Sequence, residues 1–157
     1  MSEPLKILFV CLGNICRSPL AEALFLDKIK KKGLESRFVI DSAGTNGIHD
    51  GEQADQRTRE NALKHGIEIQ HISRIIQKSD LAKFDLIFAM DKENLRNIHR
   101  LTQNSAELDK ISLLLDQVEG INYREVPDPW FGGEEGFELV FNLLDKATQK
   151  LLEKLEK

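Results

Sequence analysis

Two separated sets of residues in this chain have the types and spacing that phosphoryl chemistry needs. The first is Val10-Cys11-Leu12-Gly13-Asn14-Ile15-Cys16-Arg17-Ser18-Pro19. Five residues separate Cys11 from Arg17, enough for a loop to curl until its backbone N–H groups converge on an anion at a helix N-terminus. The N–H groups of Leu12, Gly13, Asn14, Ile15, Cys16, Arg17 and Ser18 are the expected phosphate ligands. Gly13 permits the turn without a side-chain clash. Asn14 tolerates a left-handed backbone and can brace the loop through its amide. Arg17 offers a planar fork to two phosphate oxygens. A helix N-terminus and a nearby arginine both favour thiolate over thiol, so a loop that binds phosphate would also arm Cys11 as the nucleophile. The Ser18 hydroxyl follows Arg17 and could stabilise the thiolate or the departing sulfur.

The second set is Val126-Pro127-Asp128-Pro129-Trp130-Phe131. Expelling an alkoxide or phenoxide requires a proton, and Asp128 is the best source in the chain. Two prolines hold it in a stiff, extended loop, and aromatic neighbours shield it from water. Once ionised, it could activate the water that hydrolyses a cysteinyl-phosphate. The simpler reading of Asp128, a turn residue beside proline, stands beside this one.

These residues need a scaffold that brings them together. Leu5 to Val10 reads as a buried strand. After the Gly13-Asn14 break, Ser18-Pro19 is the expected N-cap and first residue of a helix that ends at Gly33. A second strand is expected at Arg37 to Asp41, followed by an irregular loop from Ser42 to Asp55. Further expected elements are a helix from Gln56 to His65, a short helix from Ser79, a strand at Phe84 to Met90 and a helix capped by Asp91. A fourth apolar run spans Ile111 to Leu115, and a last helix carries Phe137, Val140, Phe141 and Leu144 at helical spacing. Alternating strands and helices imply an α/β fold with a mainly parallel sheet and helices on both faces. Ligands in such folds sit beyond the carboxyl ends of the strands, and the Cys11 loop leaves the first strand there. Residues 1–157 are expected to form one domain.

Composition narrows the alternatives. A net charge of −4 with no basic stripe argues against nucleic acid. The Ile7–Leu12 apolar run is too short to span a membrane and lacks the flanks of a signal peptide. Two cysteines in 157 residues are not a secreted disulfide framework; a cytoplasmic protein is expected. The two cysteines and four scattered histidines lack structural zinc spacing.

Cys11 to Ser18 matches the C-X5-R-S phosphate loop of the low-molecular-weight protein tyrosine phosphatases, and VCLGNICRSPLAEALF resembles their first strand, loop and helix. Asp128-Pro129, Asp41-Ser42-Ala43-Gly44-Thr45 and Met90-Asp91 resemble later family segments in the same order. The resemblance implies a four-stranded parallel sheet of the phosphotyrosine protein phosphatase I type and hydrolysis of phosphotyrosine or small aryl phosphates through phosphocysteine, with no cofactor or metal. By position, Cys11 is nucleophile, Arg17 binds phosphate and Asp128 is acid then base. Asn14, Ser42 and His71 brace the loop, Ser18 assists the thiolate, and Cys16 can form a reversible disulfide with Cys11. Ile48, His49, Trp130 and Phe131 fall on the substrate rim, and a monomer or weak dimer is expected. Ile48 stands where many members carry an aromatic residue, and Trp130-Phe131 where members often have paired tyrosines.

Several residues admit plainer roles: Cys16 and Trp130 as packing, His71 as a satisfied core histidine. Two rival activities share this fold. Arsenate reduction needs further cysteines for a disulfide relay, and only Cys16 is available. Phosphoarginine phosphatases carry threonine at the position of Ile15, whose apolar side chain favours phosphotyrosine.

Overall fold

The computed structural model describes residues 3–157, apart from the side chain of Phe131. Four strands, β1 (Leu5–Cys11), β2 (Phe38–Gly44), β3 (Leu86–Ala89) and β4 (Ile111–Leu113), form one parallel sheet in the order β2-β1-β3-β4. The chain thus runs outward in one direction from β1 to β2 and in the other through β3 to β4, so the carboxyl end of β1 lies at a switch point.

Strand alternation assigns the residues of β1 to two cores. Ile7, Phe9 and Cys11 join the cluster built with α1 (Arg17–Lys31), α2 (Gln56–Lys64) and α6 (Gly133–Leu155). Leu8 and Val10 join the opposite cluster, under α3 (Lys78–Lys83) and α4 (Lys92–His99). Helices therefore cover both faces, as the alternating pattern implied. Because β1 is buried on both sides, it reads as a continuous apolar run. No helix among the described residues is long and apolar enough to cross a membrane.

Several boundaries differ from the sequence expectation, each for a tertiary reason. β2 continues through Ser42 to Gly44, because it pairs with β1 in register from Leu5↔Phe38 to Cys11↔Gly44. Ser42 is therefore a strand residue with its hydroxyl in the interior, not the start of a loop. α1 begins at Arg17 with Cys16 at the N-cap, so Ser18 is a helical residue whose hydroxyl is committed elsewhere. β3 is confined to Leu86–Ala89, since Phe84 ends α3. β4 stops at Leu113, and Leu114–Gln117 form a 3-10 turn. A short helix, α5 (Ser105–Leu108), was not expected; the Asn104 side chain caps it by accepting from Glu107 N–H.

Phe25 links helix and sheet. Its ring meets Phe38 edge-on at 5.3 Å and lies 6.2 Å from Phe9, and it is fully buried. Phe25→Ala should cost about 3–5 kcal/mol, read as a lowered urea midpoint. A loss below about 1 kcal/mol would mean that the site collapses around the cavity more completely than such cores do.

Candidate active site

The Cys11–Arg17 loop joins the carboxyl end of β1 to the start of α1, and its carbonyls are tied outward. Cys11 C=O accepts from Thr45 N–H and Leu12 C=O from Asn46 N–H, each at 2.9 Å. Asn14 C=O accepts from the Ser73 hydroxyl at 2.5 Å, and Ile15 C=O from Asp55 N–H at 2.7 Å. In a trans peptide the carbonyl and the next N–H point in opposite directions. The N–H groups of Leu12, Gly13, Ile15 and Cys16 consequently face the concave side. Arg17 and Ser18 add N–H groups from the unsatisfied first turn of α1.

Two local features allow this curl. Asn14 has φ of +57°, the only positive value at a non-glycine position among the described residues, as its residue type suggested. Gly44 packs against the loop so closely that a Cβ there would lie 2.8 Å from Leu12 O. Any side chain at Gly44 would push the loop off the sheet.

Asn14 then organises a polar chain beneath the loop. Its Oδ1 accepts from Arg74 N–H at 3.0 Å, which fixes the amide orientation. Nδ2 must therefore donate to Ser18 Oγ at 2.8 Å and to Ser42 Oγ at 3.1 Å. Having accepted from Asn14, Ser18 has its hydrogen free for Cys11 Sγ, 3.0 Å away. Ser42 likewise donates to Glu22 Oε1 at 2.6 Å. His71 Nε2 lies 2.7 Å from Asn14 Oδ1, so it carries a hydrogen. Its Nδ1 faces Glu22 Oε1 at 3.1 Å and Asp41 Oδ1 at 3.5 Å. Burial pushes the Glu22 carboxyl up to about 7 and draws His71 below the usual histidine range. Just below neutral pH the Glu22 carboxyl thus keeps a proton facing the neutral His71 Nδ1. Arg74 spans Asp41 and Asp80 and offsets part of their negative charge.

Arg17 is almost fully buried. Nη1 donates to Asp91 Oδ2 at 2.7 Å and to Val126 O at 3.0 Å. Burial alone would lower its pKa, but negative charge at Cys11, Asp91 and Asp128 raises it, so it stays a cation. Asp91 serves twice: Oδ1 caps α4 by accepting from Asn94 N–H, and Oδ2 aims Arg17. The cap is visible in the sequence; the second role exists only because β3 ends beside β1. Nothing in the sequence pattern pointed to Glu22, Ser73 or Arg74 either, since their partners are distant along the chain.

Asp128 stands at the mouth. Its Oδ1 accepts from Trp130 N–H at 3.0 Å, making it the N-cap of the Pro129–Phe131 turn. Its Oδ2 lies 3.9 Å from Arg17 Nη2. The turn residue and the candidate acid are thus the same group, one oxygen for each task. A cavity of about 220 Å³ is enclosed between Cys11, Arg17, Asp128, His49 and Trp130. His49 also bonds Glu52 at 2.8 Å. Ile48 is largely exposed and does not line the cavity. The side chain of Phe131 lies outside the described residues. Cys11 and Cys16 are both buried and unbonded, and burial pushes the Cys16 thiol up to about 12.

Comparison with known proteins agrees with this geometry. The family described as low molecular weight phosphotyrosine protein phosphatase matches residues 6–157. The low molecular weight phosphotyrosine protein phosphatase of Schizosaccharomyces pombe is 42% identical over 156 residues, 99% of each chain. The low molecular weight protein-tyrosine-phosphatase YfkJ of Bacillus subtilis is 40% identical, covering 98% of this chain and 97% of that one. Among solved structures, the protein tyrosine phosphatase of Entamoeba histolytica superposes with a TM-score of 0.92 at 43% identity over 97% of both chains. This chain belongs to the low molecular weight phosphotyrosine protein phosphatase family, a class of cysteine-based hydrolases.

Two measurements test the charges described. Glu22 has a folded pKa raised from 4.5 to about 7. The stability it contributes is therefore fully present below about 4.5 and lost as pH rises through about 7. Relative to Glu22→Gln, the wild type should lose roughly 3 kcal/mol between pH 4.5 and pH 8 by urea denaturation; parallel stability curves would show the carboxyl ionised throughout. Asp91→Asn keeps a good helix cap but removes the charge facing Arg17. Vanadate binding should weaken about tenfold, with a lowered melting temperature because the buried guanidinium loses its charged partner. Unchanged affinity would mean that Val126 C=O alone aims the guanidinium.

Proposed function

We propose that residues 1–157 act as one phosphatase domain that hydrolyses phosphotyrosine and small aryl phosphates through a phosphocysteine on Cys11. The observation that carries this reading is the ring of inward N–H groups, closed by Arg17, at the foot of which the Cys11 sulfur meets the Ser18 hydroxyl at 3.0 Å. A tetrahedral dianion fits the charge of that ring.

In the first step Cys11 Sγ attacks phosphorus in line as the bond to the aryl oxygen breaks, while the loop N–H groups and Arg17 take up the charge on the equatorial oxygens. Asp128 gives its proton to the leaving oxygen. In the second step the ionised Asp128 takes a proton from water as that water attacks phosphorus. The sulfur leaves as thiolate, supported by the Ser18 hydroxyl. Trp130 forms a wall for the aromatic ring, with Ile48, His49 and Phe131 as further rim residues. Ile15, apolar where phosphoarginine phosphatases carry threonine, supports phosphotyrosine over phosphoarginine. The absence of a third cysteine leaves no relay for arsenate reduction.

Cys16 is the proposed partner of Cys11 under peroxide. The Cys11 thiolate is oxidised to sulfenic acid as peroxide is reduced to water. The Cys16 sulfur then displaces the sulfenic oxygen, released as water, to leave a disulfide. With its thiol pushed up to about 12, Cys16 presents little thiolate at neutral pH, so this closure is slow. Two cysteines in 157 residues are too few for a secreted disulfide framework, which supports the cytoplasm.

Cys11→Ser should abolish turnover of phosphotyrosine while retaining oxyanion binding by calorimetry. Asp128→Ala should reduce kcat/KM for phenyl phosphate at least about tenfold more than for p-nitrophenyl phosphate, whose leaving group needs little protonation. Equal losses on the two esters would remove Asp128 from the acid role.

A further inference from the structure

Arg57, at the start of α2, makes contacts that the chemistry above does not use. Its guanidinium lies between two aromatic rings, 4.9 Å from the centroid of Trp130 and 4.7 Å from that of Phe137. Its Nη1 donates to Trp130 C=O at 3.4 Å. Two further donors hold it in orientation: Nε reaches Asp55 Oδ1 at 3.3 Å and Nη2 reaches Asp55 Oδ2 at 3.4 Å.

Both ends of this arrangement lead to reacting groups. Asp55 caps α2, and its own N–H donates to Ile15 C=O, one of the carbonyls that turn the phosphate loop. Phe137 packs on Ile15 and Cys16 of the same loop. At the other end, Trp130 N–H is the group that holds Asp128 Oδ1. One route from loop to acid therefore runs through Ile15, Asp55, Arg57, Trp130 and Asp128, beside the bond from Arg17 to Val126 C=O on the other side of the acid. The hydrogen bond from Trp130 to Asp128 and the Pro129 ring fix the acid within its turn; the bond from Arg17 to Val126 C=O holds the chain before Asp128, and Arg57 holds the Trp130 end after it. Trp130 itself is substantially exposed, so core packing does not hold it in place.

From this connectivity we infer that Arg57 is a positioning residue for general-acid catalysis: it clamps the Trp130 turn to the phosphate loop and so fixes Asp128 over the leaving-group oxygen. The inference rests on the assignment of Asp128 as acid. The guanidinium is suited to the task because a flat cation can stack on two rings at once and still donate in its own plane. Lysine can replace the charge but not the stacking.

The test is a leaving-group series on Arg57→Ala, Arg57→Lys, Asp128→Ala and the double variant Arg57→Ala/Asp128→Ala. For Arg57→Ala, kcat/KM should fall about five- to tenfold with phenyl phosphate and less than about twofold with p-nitrophenyl phosphate. Arg57→Lys should recover only part of the loss. In the Asp128→Ala background, Arg57→Ala should have no further effect on phenyl phosphate, since a residue acting through the acid is silent without it. Trp130 is the only tryptophan, so acrylamide quenching of its fluorescence reads the clamp without turnover, and quenching should rise in Arg57→Ala. If Asp128→Ala shows the leaving-group split and Arg57→Ala does not, the clamp is overturned alone. If Asp128→Ala shows no split, the acid assignment falls and the clamp with it. Additive losses in the double variant, or unchanged quenching, would also overturn it.

Discussion

A peptide that gives its carbonyl to one side must show its following N–H to the other, and the site depends on that constraint. Four carbonyls of the Cys11–Arg17 segment are held outward by donors from three distant stretches: Thr45 and Asn46 after β2, Ser73, and Asp55 at the head of α2. A ring of convergent N–H groups is otherwise unfavourable, because like dipoles repel and no acceptor sits at the centre. The bonds outside the ring offset that repulsion, and a bound anion removes it. Asn14 contributes at the same point in two ways, with a left-handed backbone and an amide that bonds in four directions.

Electrostatic balance follows from the same crowding. A buried guanidinium, a sulfur at the foot of a ring of N–H dipoles and the Asp128 carboxylate lie around one cavity of about 220 Å³, with Asp91 behind the guanidinium. Removing Arg17 from water is tolerable because Asp91 and Val126 C=O complete its hydrogen bonds and because charge of opposite sign surrounds it. A second charged group, Glu22, His71, Asp41 and Arg74, lies at the far end of the serine–asparagine chain. It resolves its crowding differently, with one proton kept in the Glu22–His71 contact and Arg74 laid across Asp41. Asn14, Ser18 and Ser42 link the two clusters: the Asn14 amide donates to both serines, one beside Cys11 and the other donating on to Glu22.

The mouth is built to another standard. The ring beneath it is buried and multiply bonded, whereas Asp128 is partly exposed and sits on a turn held by its own hydrogen bond, a proline, packing on α6 and the stacked Arg57. Such a contrast suits a site where phosphate must be held in one geometry while the remainder of the substrate varies. Ile48 is exposed and lines no wall of the cavity, so no aromatic ring at that position is needed to build the floor.

What the sequence determined by itself was local. The continuous apolar run of β1 specifies a strand buried on both faces, Gly13-Asn14 specifies a turn into a left-handed residue, and Asp91 announces a helix cap, because each depends on neighbours a few positions away. The class of fold and the pairing of Cys11, Arg17 and Asp128 were legible for the same reason, as motifs in order along the chain. Tertiary structure alone decided that Ser42 and Gly44 belong to a strand, since their conformation is set by pairing with β1. It also decided between the two roles that the sequence offered Ser18, sulfur partner and helix cap, in favour of sulfur. The second role of Asp91, the proton between Glu22 and His71 and the stacking of Arg57 were likewise not readable. Those are contacts between residues roughly 50 to 75 positions apart, and no local pattern encodes which distant side chain will fill a shared space.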